Sequence, residues 1–376
     1  MKPRELYDVM NRQTTWIVDG ILVTPSRLVR GSLAVHDGRI VEIRRSASPR
    51  SGKRVDAKGQ YVAPGFIDLH IWGEPKHVSA REAASGMTSF LHAVGPEPPE
   101  LLMNRLFQLE RQQAQCRGAA CLGIHLEGPF LNPLRAGALA SRWLRPPTGR
   151  ELHQLLAHAD GKLRLLTVAP ELPGGLETIE QTARRGIAVS RGHTEADASI
   201  TQQAVGFGAS LVTHAFNGMR SFHHRDPGIV GEMLTDDRLS AMAILDGIHI
   251  APSAFRLLAR CKGPGRIILA TDSVRHYRER WQARLIKGTY RLKSGTLAGS
   301  RLTMIQAVHN AVAFGRLSLP EAVRMSSLNP AHAIGEEKRL GSLAVGKQAD
   351  LVVFDDRFRV SLTFVNGRLV YRRGTL

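Results

Sequence analysis

Cysteine is scarce in this 376-residue chain. Cys116, Cys121 and Cys261 are odd in number and scattered, which excludes a disulfide framework and a thiolate metal cluster and points to reduced thiols. Long apolar runs are missing too. No stretch reaches the ~18 apolar residues of a membrane helix, and the first fifteen residues lack the apolar core of a secretory leader. A soluble, cytoplasmic protein without membrane contact is the expectation. Lysine is rare: all but ten of the 51 basic residues are arginine. Against 33 acidic residues they leave a formal charge of +18. The basic residues are spread along the chain, with no zinc finger, aromatic RNA-binding signature or basic zipper, so they read as a solvated surface and no nucleic-acid partner is expected. What remains, 43% hydrophobic residues, supplies a large core and excludes wholesale disorder. At ~150 residues per domain, the length suits two domains or one large barrel with a small appendage.

The two ends share one texture. Residues 16–23, 31–35 and 39–43 read as short strands with Asp37-Gly38 as a hairpin turn, and residues 350–354, 360–365 and 368–371 repeat the pattern around Asn366-Gly367. Neither end buries a good core alone, so the two are expected to pair into one small β-sandwich domain, residues 1–62 with 336–376. Residues 63–335 alternate short apolar runs with amphipathic stretches such as 100–115, 176–185 and 251–261. The strand-type runs are 66–69, 89–91, 122–125, 163–168, 187–190, 210–213, 241–245 and 267–270. Eight βα units predict an α/β fold, a (β/α)8 TIM-like barrel.

Barrel active sites are built where strands end. Those positions here carry Asp68 and His70, His92, His125 and Glu127, Glu171, His193, His214, Asp246 and His249, and Asp272, in strand order. Carboxylates and imidazoles after every strand point to a metal-dependent hydrolytic site.

The strings Pro64-Gly65-Phe66-Ile67-Asp68-Leu69-His70, Leu126-Glu127-Gly128-Pro129-Phe130, Ala169-Pro170-Glu171, Ser190-Arg191-Gly192-His193-Thr194, Thr213-His214-Ala215-Phe216-Asn217-Gly218-Met219, Asp246-Gly247-Ile248-His249 and Thr271-Asp272 are specific when taken together. In order and spacing the chain resembles, nearly end to end, the N-acetylglucosamine-6-phosphate deacetylases of the amidohydrolase superfamily. Gly295-Thr296-Leu297-Ala298-Gly299-Ser300, Ser327-Leu328-Asn329-Pro330-Ala331 and Gly346-Lys347-Gln348-Ala349-Asp350-Leu351 extend the likeness toward the closing β-domain.

The resemblance implies one divalent metal held by Glu127, His193 and His214, a set that leaves positions open for chemistry. Zinc is the first choice, and iron, manganese or cobalt suit the same donors. It implies Asp272 as general acid and base, taking a proton from water and passing it to an amine nitrogen that cannot leave unprotonated. It implies His249 on the acetyl and sugar groups, and Asn217, Gly218 and Arg225 on the phosphate, where a guanidinium can bind two oxygens. Relatives often receive such a basic residue from a neighbouring subunit, so a homodimer is expected. The implied reaction removes acetate from a phosphorylated amino sugar, N-acetylglucosamine 6-phosphate. A related deacetylase of another N-acyl substrate and a non-catalytic ligand-binding barrel are the alternatives.

Three departures bear on the substrate. Relatives commonly end strand one in His-x-His, which binds a second metal, whereas this chain has His70-Ile71-Trp72. Tryptophan has only an N–H donor, so a single tight metal is expected, with His70 left to line the pocket or pack. Leu139 stands where relatives often place a sugar-contacting His, which relaxes or changes specificity. Residues 273–281, Ser-Val-Arg-His-Tyr-Arg-Glu-Arg-Trp, replace a small Gly-containing loop. They are expected as a bulky basic cover or anion contact, or as a solvated helix start. His92 is expected to pack.

Overall fold

The computed structural model describes residues 14–45, 52–277, 279 and 282–374. Arg278, Arg280 and Trp281 of the basic segment lie outside the described residues, as do thirteen of the first fifteen residues.

The first strands are β1 (Thr15–Val23), β2 (Leu28–His36), β3 (Arg39–Arg44), β4 (Lys53–Asp56) and β5 (Tyr61–Pro64). β1, β2 and β3 form an antiparallel meander. The turn between β2 and β3 has positive φ at Asp37 (47°) and Gly38 (72°), the turn that an Asp-Gly pair favours because it matches the strand twist.

The barrel follows with β6 (Phe66–Gly73), β7 (Met87–Val94), β8 (Ala120–Glu127), β9 (Leu163–Val168), β10 (Ala188–Arg191), β11 (Leu211–Val212), β12 (Ser240–Ala243), β13 (Ile267–Leu269) and β14 (Ser273–His276). Each pairs in parallel with its neighbour in the order β13-β12-β11-β10-β9-β8-β7-β6-β14. All eight expected strands are present. The ninth is the second half of strand eight: β13 lies against β12, the chain breaks at Ala270-Thr271-Asp272, and β14 resumes against β6. Three residues thus join the two edges of the sheet, and the barrel closes on itself. Asp272 sits at the break.

The helices are α1 (Pro75–Glu82), α2 (Pro99–Gln113), α3 (Gly149–Ala159), α4 (Gly175–Ala183), α5 (Ala198–Gly206), α6 (Gly228–Thr235), α7 (Pro252–Lys262), α8 (Met304–Gly315), α9 (Leu319–Ser326) and α10 (Leu328–Ala333). Amphipathic spacing makes the crossovers: α2 buries Leu102, Leu106 and Leu109 at intervals of four and three, and α7 buries Phe255 and Leu258. A hairpin of β15 (Arg284–Ile286) and β16 (Thr289–Arg291) intervenes between β14 and α8.

The chain ends with β17 (Leu351–Phe354), β18 (Val360–Val365) and β19 (Arg368–Arg372). β17 pairs antiparallel with β5, joining both ends in one eight-stranded sheet. The expected sandwich takes the form of this continuous sheet folded over a core of Ile17, Leu33, Val62, Leu351, Val353 and Phe364. The two hairpin turns meet through Ala349, whose N–H donates to the Gly38 carbonyl (2.7 Å) and whose carbonyl accepts from Gly367 (2.9 Å).

Segment 273–276 corrects an expectation. It is a strand, not a cover or a helix start, and Arg275 and His276 both turn to the buried carboxylate of Glu82 on α1, His276 at 2.9 Å. Burial opposes the charge on Glu82, but these two partners outweigh it and hold its carboxyl below the usual range.

Candidate active site

Glu127 ends β8, His193 lies two residues past β10, and His214 two residues past β11. Strand geometry thereby brings the three together although 66 to 87 positions of sequence separate Glu127 from the imidazoles in the chain. His214 Nε2 is 3.0 Å from Glu127 Oε1 and 3.0 Å from His193 Nε2, and His193 Nε2 is 3.3 Å from Glu127 Oε1. Each imidazole has its other nitrogen on a backbone carbonyl, His193 Nδ1 on Arg135 (2.6 Å) and His214 Nδ1 on Asn217 (3.1 Å). A carbonyl only accepts, so Nδ1 carries a proton, and in the neutral imidazoles both Nε2 atoms turn lone pairs toward one another and toward a carboxylate oxygen. Three convergent acceptors repel unless a cation lies among them. Four-coordinate bonds of ~2.0 Å imply ligand separations of ~3.3 Å, so the donor set fits a divalent metal.

The backbone is shaped for this. His193 and His214 have φ of 48° and 32°, a conformation that costs a non-glycine residue about 1–3 kcal/mol and concentrates at functional sites. Gly218 has φ of 58°, and a Cβ there would stand 3.1 Å from His193 Nδ1 and 3.4 Å from the His214 ring. Only glycine lets the loop close over both imidazoles.

A cavity of about 240 Å³ opens on these donors, lined also by Gly137, Leu139, Asn217, His249, Asp272 and Thr296. Asp272, φ 46°, is fixed by backbone bonds from its N–H to the His70 carbonyl (2.9 Å) and from Ser300 N–H to its own carbonyl (2.8 Å). Its Oδ1 lies 3.0 Å from Trp72 Nε1 and 3.2 Å from His70 Nε2. Burial works against a charge on His70, yet Glu127 at 3.6 Å and Asp272 outweigh it and raise its pKa to about 9. Its Nδ1 meets His125 Nδ1 at 2.6 Å. Burial, and then the charge on His70, push His125 far down, so it stays neutral, with Nε2 on Thr167 Oγ1 (2.7 Å).

The remaining strand-end residues brace the site. Asp68 is fully buried and accepts from the N–H of His70 (3.0 Å) and the hydroxyl of Thr271 (2.5 Å), while burial pushes its pKa up to about 6. Glu171 ties three loops by accepting from Asn132, Thr194 and the N–H of Glu195. Asp246 grips His249 at Nδ1 (2.7 Å) and at the backbone N–H (2.8 Å), leaving Nε2 for the cavity. His92 packs as expected, pushed down to about 3 by burial and the charge of Arg105.

Asn217 lines the cavity, but its amide donates to the carbonyls of Ala215 (3.0 Å) and His249 (3.3 Å). Arg225 is exposed, outside the cavity wall, 3.5 Å from His224 Nε2. No lysine or arginine among the described residues lines the cavity. His70 is buried behind the site at 1% exposure, whereas Leu139 forms part of the wall. Thr296, Leu297 and Gly299 also line it. The Gly295–Ser300 string, which the sequence alone points toward the β-domain, is carried back over the barrel mouth by the hairpin before it.

A barrel with two imidazoles and a carboxylate converging at its mouth, and a further carboxylate facing them at the end of strand eight, defines a metal-dependent hydrolase. The profile of the amidohydrolase family matches residues 61–370. The chain belongs to that family, in its N-acetylglucosamine-6-phosphate deacetylase branch. It is 34% identical to the N-acetylglucosamine-6-phosphate deacetylase of Bacillus subtilis, covering 94% of this chain and 96% of that one. With the Homo sapiens enzyme of the same name it shares 35% over 92% and 93%. Among solved structures, a variant of the deacetylase from Mycobacterium smegmatis in complex with N-acetyl-D-glucosamine-6-phosphate is similar, with a TM-score of 0.87, 31% identity and coverage of 96% and 99%. The Thermotoga maritima deacetylase gives 0.83 at 29% identity, covering 95% and 99%.

Proposed function

We propose that the chain hydrolyses the acetamide of N-acetylglucosamine 6-phosphate, releasing acetate and glucosamine 6-phosphate. The observation that carries this reading is the convergence of Glu127, His193, His214 and Asp272 on one cavity, in a chain whose relatives bear that activity in their names. A divalent metal, zinc in our reading, held by Glu127, His193 and His214 would acidify water and polarise the acetyl carbonyl. Asp272 takes the proton of the attacking water on the oxygen that faces the cavity and delivers it to the amide nitrogen. His249, its ring fixed by Asp246, offers Nε2 to the acetyl and sugar groups. Leu139 gives the sugar an apolar wall.

The phosphate meets the loop of Asn217 and Gly218. With Asn217 Nδ2 committed to carbonyls, the backbone of Gly218 is the contact this loop supplies. Because Arg225 stands outside its own cavity, a homodimer in which a second copy lends Arg225 supplies the missing cation. Three free cysteines suit a cytoplasmic setting.

Acetate release from N-acetylglucosamine 6-phosphate and from N-acetylglucosamine, followed side by side with metal-analysed protein, tests the reading. Turnover of the phosphorylated sugar with a large preference over the other is expected. Equal turnover of both removes the phosphate assignment, and release from neither removes the sugar assignment.

A further inference from the structure

We infer that Trp72 is a positioning residue for the proton transfer, its indole N–H locking one oxygen of Asp272 so that the other faces the substrate. The inference rests on the proton-shuttling role proposed for Asp272. Trp72 is 2% exposed on β6, and its Nε1 donates to Asp272 Oδ1 at 3.0 Å. His70 Nε2 stands 3.2 Å from the same oxygen. Among the described residues no hydrogen bond falls on Oδ2, while Asp272 itself lines the cavity. The two oxygens are therefore differentiated: Oδ1 is held from behind by the indole N–H, with the His70 imidazole beside it, and Oδ2 is free to accept a proton from water and hand it to nitrogen.

The ring is held as firmly as the bond requires. It packs in a buried cluster with Ala93, Leu131, Leu139 and Val274, and it lies edge-on to His70 (5.9 Å, 83°) and against Tyr277 (5.6 Å). β6 pairs directly with β14, the strand that Asp272 precedes. Donor and acceptor thus share one rigid seam, and the hydrogen bond is in place before substrate binds, the condition under which such a contact lowers a barrier. Trp72 does not line the substrate cavity, so its effect falls on the chemical step rather than on binding.

Two readouts test this on the full chain labelled with 15N in its four tryptophan indoles. Trp72→Phe keeps an aromatic ring and deletes the N–H. It identifies the Trp72 resonance, and it is expected to lower kcat about 10- to 100-fold, the usual effect of losing an outer-shell partner, with KM within about twofold. In Asp272→Ala the Trp72 N–H resonance is expected to shift while that of Trp16, in the small sheet, stays in place. An unmoved Trp72 resonance, an unchanged kcat, or a loss expressed equally in KM would overturn the inference. Where Trp72→Phe does not fold, the shift of a single indole resonance in Asp272→Ala decides. In a chain that releases no acetate from either sugar the resonance still reports the pairing, so failure of the substrate reading is read separately.

Discussion

Two sides of the barrel mouth are built on different plans. On the side of β8, β10 and β11, three donors are pressed to within 3.3 Å of one another, each imidazole is backed by a carbonyl, and two of the residues hold a left-handed backbone. On the seam of β6 and β14, the side chains facing Asp272 are an imidazole and an indole. The first arrangement calls for a cation among its donors; in the second the carboxylate already has the indole N–H as its donor. A barrel can thus keep a metal site on one side while changing what supports the carboxylate proposed as proton carrier on the other.

The largest loss is expected on the metal side. His214→Ala removes one of three donors and is expected to abolish tight metal binding and to reduce kcat/KM by at least about 10³-fold, since several kcal/mol of transition-state stabilisation go with the metal. Elemental analysis beside an acetate assay checks both. Gly218→Ala presses on the same donors without replacing any of them. The φ of 58° and the 3.1 Å approach to His193 Nδ1 predict a strain of about 1–2 kcal/mol and a metal affinity lower by about 10- to 100-fold, read by chelator competition and thermal unfolding.

The smallest effect on turnover is expected at the back of the seam. Glu82, with Arg275 and His276, fastens α1 to β14 away from the cavity. Its carboxyl titrates below its ordinary 4.5 in the folded chain, so its contribution to stability is complete above that value and is lost as pH falls through the lower folded one. Glu82→Gln is expected to destabilise the chain by about 3 kcal/mol at pH 7. The penalty shrinks below pH 4.5, and kcat changes by no more than a few-fold. Denaturant unfolding at several pH values checks this; a penalty constant down to low pH would show that the ion pairs are not its source.

The metal side was the more legible in sequence. Asp37-Gly38 and Asn366-Gly367 announced their turns, apolar runs announced the strands, and Glu127, His193 and His214 are the residue types that chemistry demands at strand ends. The seam was less so. Nothing local tells that strand eight breaks at Asp272 and resumes as β14, because the resumption depends on closure against β6. With that register hidden, Arg275 and His276 could not be assigned to Glu82, nor Trp72 read as more than a residue unable to ligate. Thr296 and Gly299 reached the cavity only through a hairpin whose course depends on tertiary packing.

If metal and proposed proton carrier are held by separable supports, the metal content of Asp272→Asn, measured together with its turnover, shows it. One equivalent of metal per chain is expected in both the variant and the unaltered protein, with acetate release from the variant reduced about 10²- to 10⁴-fold. Loss of the metal from Asp272→Asn, or turnover that survives the substitution, would contradict it.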